Sequence, residues 1–538
     1  MRLFCILVLA LCYSYDVQAQ VWAPPGYNTR PNQDFFSYDT GINKYDNDYY
    51  LYFAPSFNFN LLGVMGASFT LPMNFLIYDK EPKMEGSRVG KLRPMDYDQK
   101  SDYLRLINYL WYGTFGEYKP GELTYSVYIG KTFDAYIGHG SILNRYVNNQ
   151  RIDVYKAGLW ADLNGDYGGV QVFTNSIYDR DVNAGRVFIR PAAIVTKAID
   201  IVRGKADLVG MMPAYGNVLD EAGRKSVKEE AGLNTKNDRS MKLDEEKSDD
   251  KKKEEEKKKN ENIKPGQLFR PDAWWNRFAI GYTSAYDRDA PYDLKFDTTG
   301  NLILDSSHNP QALSEKKVRI DGYDAEIKVV STQYVEITPY YDVNKIRGLE
   351  NSHGTHYGII AKFGGKDVNI TLKPEYRNMS ANYIPMYFDS FYELERFSTN
   401  SVTSLPTSKW KYANSLDPNA GNIKGSYQTF LFNFYRIAVE ASYEDYDGPD
   451  NSRVFTGLYL PIGEMFRISG YYMKKGFDKK KDAYKLDDKA MGAIELAIKL
   501  GPIQIKLQDR RRWVADEETG KFVAKDEKMI LFSGGTKF

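Results

Sequence analysis

The sequence predicts an all-β protein, a transmembrane antiparallel β-barrel of about 20 strands (range about 16–22), with short turns at one end and long loops at the other. Three observations carry that expectation. Apolar and polar residues alternate with period two in many short segments. Toward the C-terminus, tight turns and long polar loops follow one another in strict succession. The chain also holds 43 Tyr, 28 Phe and 7 Trp, yet has no long apolar run beyond its N-terminus.

In chain order, the first segment reads as a leader. Arg2 supplies a positive start, Phe4 to Leu11 is unbroken apolar sequence, and Val17-Gln18-Ala19 suits cleavage after Ala19. Leu11 is too bulky for Cys12 to be a lipidation site. Residues 1–19 are therefore expected as a signal peptide, 20–48 as a periplasmic N-terminal segment and 49–538 as the barrel. Both cysteines, Cys5 and Cys12, fall inside the leader, which excludes thiol catalysis and cysteine metal sites in the remainder. The net charge of +1 argues against nucleic acid as a partner.

The strand pattern is clearest late in the chain. Ile437, Val439, Ala441 and Tyr443 alternate with Ala438, Glu440, Ser442 and Glu444, and Ile494, Leu496 and Ile498 with Glu495, Ala497 and Lys499. Ala325–Val329, Val368–Lys373 and Ile503–Gln508 follow the same rule. Tight turns are expected at Asn164-Gly165, Gly364-Gly365-Lys366, Pro461-Ile462-Gly463 and Gly501-Pro502. Long loops are expected near 286–321, 379–424, 475–489 and 509–525. Counting backward gives strand starts near 526, 502, 490, 464, 452, 437, 425, 367, 354, 333, 322, 274, 186, 167, 154, 135, 123, 103, 66 and 50. An even count places both ends of the wall on one side. The segment 103–113 also reads as a short helix.

Residues 225–264 differ in kind: 25 of 40 are charged, 13 basic and 12 acidic, too polar to bury a core. The expectation is a solvated low-complexity insert on the periplasmic side. Aromatic pairs such as Tyr49-Tyr50, Trp111-Tyr112, Trp274-Trp275, Tyr340-Tyr341 and Tyr471-Tyr472 fit interfacial girdles.

Met529-Ile530-Leu531-Phe532 leads to a last residue, Phe538. A final strand ending in Phe resembles the insertion signal of Gram-negative outer-membrane barrels, although Thr536 stands where a second aromatic is usual. Tyr136-Ile137-Gly138-His139-Gly140-Ser141 and Gly281 to Pro291 resemble parts of large, porin-like outer-membrane barrels. This likeness spans nearly all of residues 45–538 at the level of architecture. It implies an outer-membrane location, contact with membrane lipid and lipopolysaccharide, and recognition of Phe538 by the barrel-assembly machinery.

Enzymatic constellations fare poorly. Asp39-Thr40-Gly41 and His353-Gly354-Thr355-His356 resemble subtilisin motifs, but no Gly-Thr-Ser follows. His139 and Ser141, two apart on a strand, would share a face and resemble outer-membrane phospholipase A. The Asn-Gly that should follow the serine is replaced by Ile142-Leu143. Asp162, Asn164 and Asp166 open a calcium-like loop, but Tyr167 occupies the turn-glycine position and Phe173 the closing-Glu position. His353 and His356 make at most half a metal site. Asp445, Asp447 and Asp450 in an outer loop make at most an incidental calcium site. Arg510-Arg511-Arg512 is placed at a loop opening and reads first as part of a solvated loop, with a lipopolysaccharide phosphate or a pore mouth as the alternative. No catalytic residue, metal or cofactor is expected.

The resulting expectation is a channel for small polar solutes, its lumen partly filled by long loops. Lumen-facing candidates are Glu326, Lys328, Glu336, Lys373, Glu440, Glu495, Lys499 and Lys506, on polar strand faces of mixed sign. A surface adhesive barrel is the alternative, and a Ser141/His139 esterase a distant third.

Overall fold

The computed structural model describes residues 35–206 and 266–536, apart from 46–47, 62–64, 81–87, 114–117, 119–120, 133, 152–153, 306–308, 366, 398–405, 464, 488, 501–502 and 517–521. The expected leader (1–19) and charged insert (225–264) lie outside the described residues, as does Phe538.

Twenty wall strands form one closed antiparallel sheet. They are β1 (Phe36–Tyr45), β2 (Asp48–Leu61), β3 (Met65–Thr70, continued as Met73–Tyr78), β4 (Ile107–Gly113), β5 (Thr124–Gly130), β6 (Gly158–Gly165), β7 (Gly168–Thr174), β8 (Val182–Ile189), β9 (Phe278–Leu294) and β10 (Ala312–Ile327, continued as Val330–Ser331). Then follow β11 (Val335–Arg347), β12 (His353–Gly364), β13 (Val368–Ser380), β14 (Asn422–Phe434), β15 (Ile437–Tyr446), β16 (Ser452–Ile462), β17 (Phe466–Phe477), β18 (Ala490–Leu500), β19 (Ile503–Ala515) and β20 (Phe522–Thr536). β3 and β10 each count once, because both halves pair with the same neighbour, β2 and β11 respectively. Closure comes from β1 against β20, from Phe36 opposite Thr536 to Lys44 opposite Lys528.

The wall is apolar outside and polar inside. On β18, Ile494 is 58% exposed while its neighbour Glu495 is fully buried. On β15, Ala438, Glu440, Ser442 and Glu444 are buried and the alternating apolar residues face out. A water-soluble barrel has the opposite polarity, so the outer face is built to meet lipid. No helix among the described residues is long and apolar enough to cross a membrane.

The strand total agrees with the sequence count, but its membership differs. The wall begins at Phe36, inside the stretch 20–48 expected as a periplasmic segment. The strand expected near 135 is absent: residues 131–157 leave the wall and fold inside the barrel. The strands expected from 50 to 123 therefore run opposite to the direction that the count implied. β4 starts at Ile107, after a short 3-10 turn over Lys100–Leu106, so 103–113 is part turn and part strand. Long loops are shorter than expected because strands run on. β9 and β10 contain 17 and 16 residues and leave only 295–311 between them. Their far ends carry polar residues on both faces, which the alternation test misses.

The aromatic pairs also need correction. Adjacent strand residues point to opposite faces, so only one ring of each pair that lies within a strand meets lipid. Tyr49, Tyr112 and Tyr341 are exposed outward, whereas Tyr50, Trp111 and Tyr340 are buried. Trp274 and Trp275 both stay exposed because they sit on a 3-10 turn (Trp274–Arg277).

Three α-helices complete the described structure: α1 (Pro191–Val202) between β8 and β9, and α2 (Tyr392–Glu395) and α3 (Lys409–Ser415) between β13 and β14.

Candidate functional site: the internal plug

The described residues of two connections from the long-loop end, 131–157 and 381–421, turn into the barrel and meet there. Their backbones pair locally. Met386 N donates to the Ser141 carbonyl at 3.0 Å, Phe388 N to Ile142 O at 3.2 Å, and Asn144 N to Phe388 O at 3.1 Å. Leu143, Tyr146, Tyr387, Phe388 and Tyr392 form an apolar core against inward residues such as Phe173, Val182, Ile320 and Ile346. The chain reverses at Gly138 and Gly140, which take φ of +57° and +77° and so occupy the left-handed region that glycine tolerates.

Around this core, buried charges tie the plug to the wall. His139 sits between two carboxylates: Nδ1 lies 2.7 Å from Asp342 and Nε2 3.0 Å from Glu326. Its ring stacks on Tyr340 with centroids 4.1 Å apart. Burial pushes the imidazole down, but Asp342 and Glu326 outweigh it and lift it to about 10. It is therefore a cation at neutral pH and donates from both nitrogens. The Lys373 ammonium donates to the His139 carbonyl, and Arg186 reaches Asp324 at 3.1 Å.

Arg145 pairs with Glu440, and its guanidinium lies 4.0 Å from the Phe455 ring centroid. Lys156 meets Glu393 at 2.9 Å, and Asn175 donates to the same carboxylate at 3.1 Å. Arg396 spans Asp181 at 3.0 Å and Asp287 at 3.2 Å. Asp389 is held by Arg453 at 2.7 Å, and Glu395 by Lys409 at 2.7 Å. Arg377, fully buried, joins Glu375 and Glu444. Such pairs add little net stability when intact, but losing one partner strands a buried charge at about 3–5 kcal/mol.

The eight residues singled out from sequence distribute as follows. Glu326, Lys373 and Glu440 contact the plug through His139 and Arg145. Lys328 and Glu336 pair with each other at 2.6 Å, with Lys328 in the break of β10. Glu495 pairs with Arg467 at 2.7 Å, and Lys506 with Asp39 at 3.1 Å. Lys499 is half-buried near the end of β18.

The partners on the plug, namely Arg145, Lys156, Asp389, Glu393 and Arg396, escaped sequence reading. A signal was present: Tyr383, Tyr387, Phe388, Phe391 and Tyr392 crowd one loop, and a solvated loop has no use for so many rings.

Several sequence readings are corrected. Ser141 has no general base, because both nitrogens of His139 are engaged by carboxylates and Ser141 itself bonds Asp342. His353 and His356 belong to β12, not to a loop. Three positions apart, they face opposite sides, with His356 bonded to Glu375 at 3.0 Å. Arg510, Arg511 and Arg512 lie within β19; Arg512 pairs with Glu527 at 2.8 Å, and Arg511 with Asp526 at 3.1 Å. The tight turn expected at Asn164-Gly165 falls two residues later: Asn164 and Gly165 end β6 opposite Gly169 and Gly168, and Asp166-Tyr167 make the turn.

No family model matches the chain, and no curated protein matches it. Solved structures of similar outline include Pseudomonas aeruginosa OccK5 (OpdH), with 8% identity, a TM-score of 0.29, and coverage of 93% of this chain and 96% of that one. Pseudomonas aeruginosa OccK8 (OprE) gives 8% identity, a TM-score of 0.30, and coverage of 93% and 97%. The siderophore receptor PirA from Acinetobacter baumannii gives 8% identity, a TM-score of 0.29, and coverage of 94% and 80%.

Proposed function

We propose that the protein is an outer-membrane channel for small polar solutes, in which the internal plug sets the constriction. The supporting observation is the inverted polarity of the wall, joined to an interior of paired charges of both signs. An apolar exterior suits the bilayer, and a hydrated, charged interior suits polar cargo. Of the eight strand-face residues named from sequence, Glu326, Lys373 and Glu440 meet the plug, and Lys328, Glu336, Glu495, Lys499 and Lys506 belong in this reading to the inward wall away from it. Selection then acts through width and local charge, without bond chemistry.

The test is conductance of the purified full-length chain in a planar bilayer. The expected result is discrete steps with weak preference between cations and anions, because the interior charges balance. The Arg145→Ala variant, which frees one anchor of the plug, is expected to conduct more. A wild type and an Arg145→Ala variant that both insert and never conduct would overturn the channel reading and favour a sealed barrel acting through its outer loops.

A further inference from the structure

One connection at the long-loop end behaves unlike the plug. Residues 478–489, between β17 and β18, fold back over the outside of the wall. Ala483 packs on Val454 and Phe477, and Tyr484 stacks on Tyr472 with centroids 5.6 Å apart. The Thr456 and Tyr484 hydroxyls lie 3.4 Å apart. Lys474 points outward beneath this shelf, where Asp487 neutralises it at 2.6 Å. Tyr472 donates to the Lys485 carbonyl at 3.2 Å.

Between the shelf and the outward faces of β13 to β16 lies a groove of about 630 Å³. That is within the ~300–1,000 Å³ typical of small-molecule sites. Its floor is Leu372, Phe430, Ala441 and Tyr443, and its lip is Lys480 with Tyr484. Lys480 is the one charged residue in the lining and forms no ion pair with a described residue. Beside it, Leu486 and Tyr484 project with 67% and 65% of their surface exposed, as suits residues dipping into an interface.

We infer that this groove holds one molecule of the phosphorylated glycolipid of an outer leaflet (lipid A), with an acyl chain along the floor and a phosphate at Lys480. The inference rests on the proposed placement in an outer membrane. The floor belongs to the lipid-facing wall, so its occupant comes from the bilayer. A single ammonium at the lip, with no acidic neighbour in the lining, complements a phosphate through a charge-assisted hydrogen bond. Lys479, Lys481 and Lys485, all exposed on the same shelf, outnumber the adjacent Asp478 and Asp482 and leave the lip net positive. The arginines of β19 do not serve here, since Arg511 and Arg512 already hold Asp526 and Glu527.

The experiment is native mass spectrometry of the full-length protein in detergent, titrated with lipid A, with dephosphorylated lipid A and with phosphatidylethanolamine. The wild type is expected to retain one lipid A per barrel and at least tenfold less of the other two. Lys480→Glu and Ala441→Trp are expected to reduce retention tenfold or more, the first by charge and the second by filling the floor. Heat-dependent gel migration confirms that each variant is a folded barrel; should one fail to fold, the other carries the test. Equal retention of lipid A by a folded variant and the wild type overturns the site, as does equal retention of the two lipid A forms. A wild type recovered without detergent overturns the membrane placement itself, a separate failure.

Discussion

Two loops at the same rim go opposite ways. The 381–421 connection enters the barrel with Asp389, Glu393, Glu395, Arg396 and Lys409, and each finds an opposite charge on the wall or the plug. The 478–489 connection lies outside on Val454, Phe477 and Tyr472, with its ammoniums mostly turned to solvent. The difference teaches that the face a loop meets decides its direction. Inward wall positions offer carboxylates and guanidiniums, and only a loop with matching charges can be buried there without loss. Outward positions offer rings and aliphatic groups, which reward a loop carrying Ala483 and Tyr484.

The sharpest break in this comparison is Glu393→Ala. It leaves the Lys156 ammonium buried with only Asp181 at 3.4 Å, and takes an acceptor from Tyr146 and Asn175. The expected cost is about 3–5 kcal/mol, localised to the plug. Limited proteolysis should cut the 381–421 loop much faster, while heat-dependent gel migration stays that of a closed barrel.

Next comes pH. An unfolded histidine titrates near 6.5, and His139 in the plug near 10. Its contribution is therefore complete below about pH 6.5 and is lost as pH rises through 10. Hydrogen-exchange protection of residues 135–146, corrected for intrinsic rates, should fall between pH 7 and pH 10 in the wild type. In His139→Gln it should start lower and stay flat, and a wild-type profile that is also flat would refute the assignment.

On the outer loop the expected effect is smaller and indifferent to charge. Val454→Ala removes apolar contact worth roughly 1–2 kcal/mol from the shelf. Cleavage within 478–489 should rise several-fold, and conductance should not change. Smallest of all is Lys411→Ala, which breaks the exposed pair with Asp293. Its effect should stay under about 1 kcal/mol and vanish in high salt.

Much of the wall was legible because lipid outside and water inside enforce strict alternation. β15 and β18 reveal themselves through Ile437 to Glu444 and Ile494 to Lys499. β1 was equally legible in principle: Phe36, Tyr38, Thr40 and Ile42 alternate with Ser37, Asp39, Gly41 and Asn43. Its apolar face is weak, and Asp39-Thr40-Gly41 invited a motif reading instead. The plug was not legible in this way. Ala135, Ile137 and His139 alternate like a strand, and Ala135 does bridge Tyr146 in a small internal hairpin. What separates such a hairpin from a wall strand is whether a distant partner is free to pair, and local pattern carries no record of that. The same holds for Arg145 and Glu440, brought together across nearly 300 residues.

The seam between β1 and β20 sets the order of manufacture. Phe36 must wait for Thr536, so the cylinder cannot be sealed until almost the whole sheet has been laid down. Until then the growing sheet has two raw margins of unpaired amides, which recruit any strand within reach. Pairings this remote in sequence are the slowest kind to form. The rate of biogenesis is therefore governed by how long those margins can be kept apart from other chains, and a mutation along the seam should reveal itself first as lost yield and only later as lost stability.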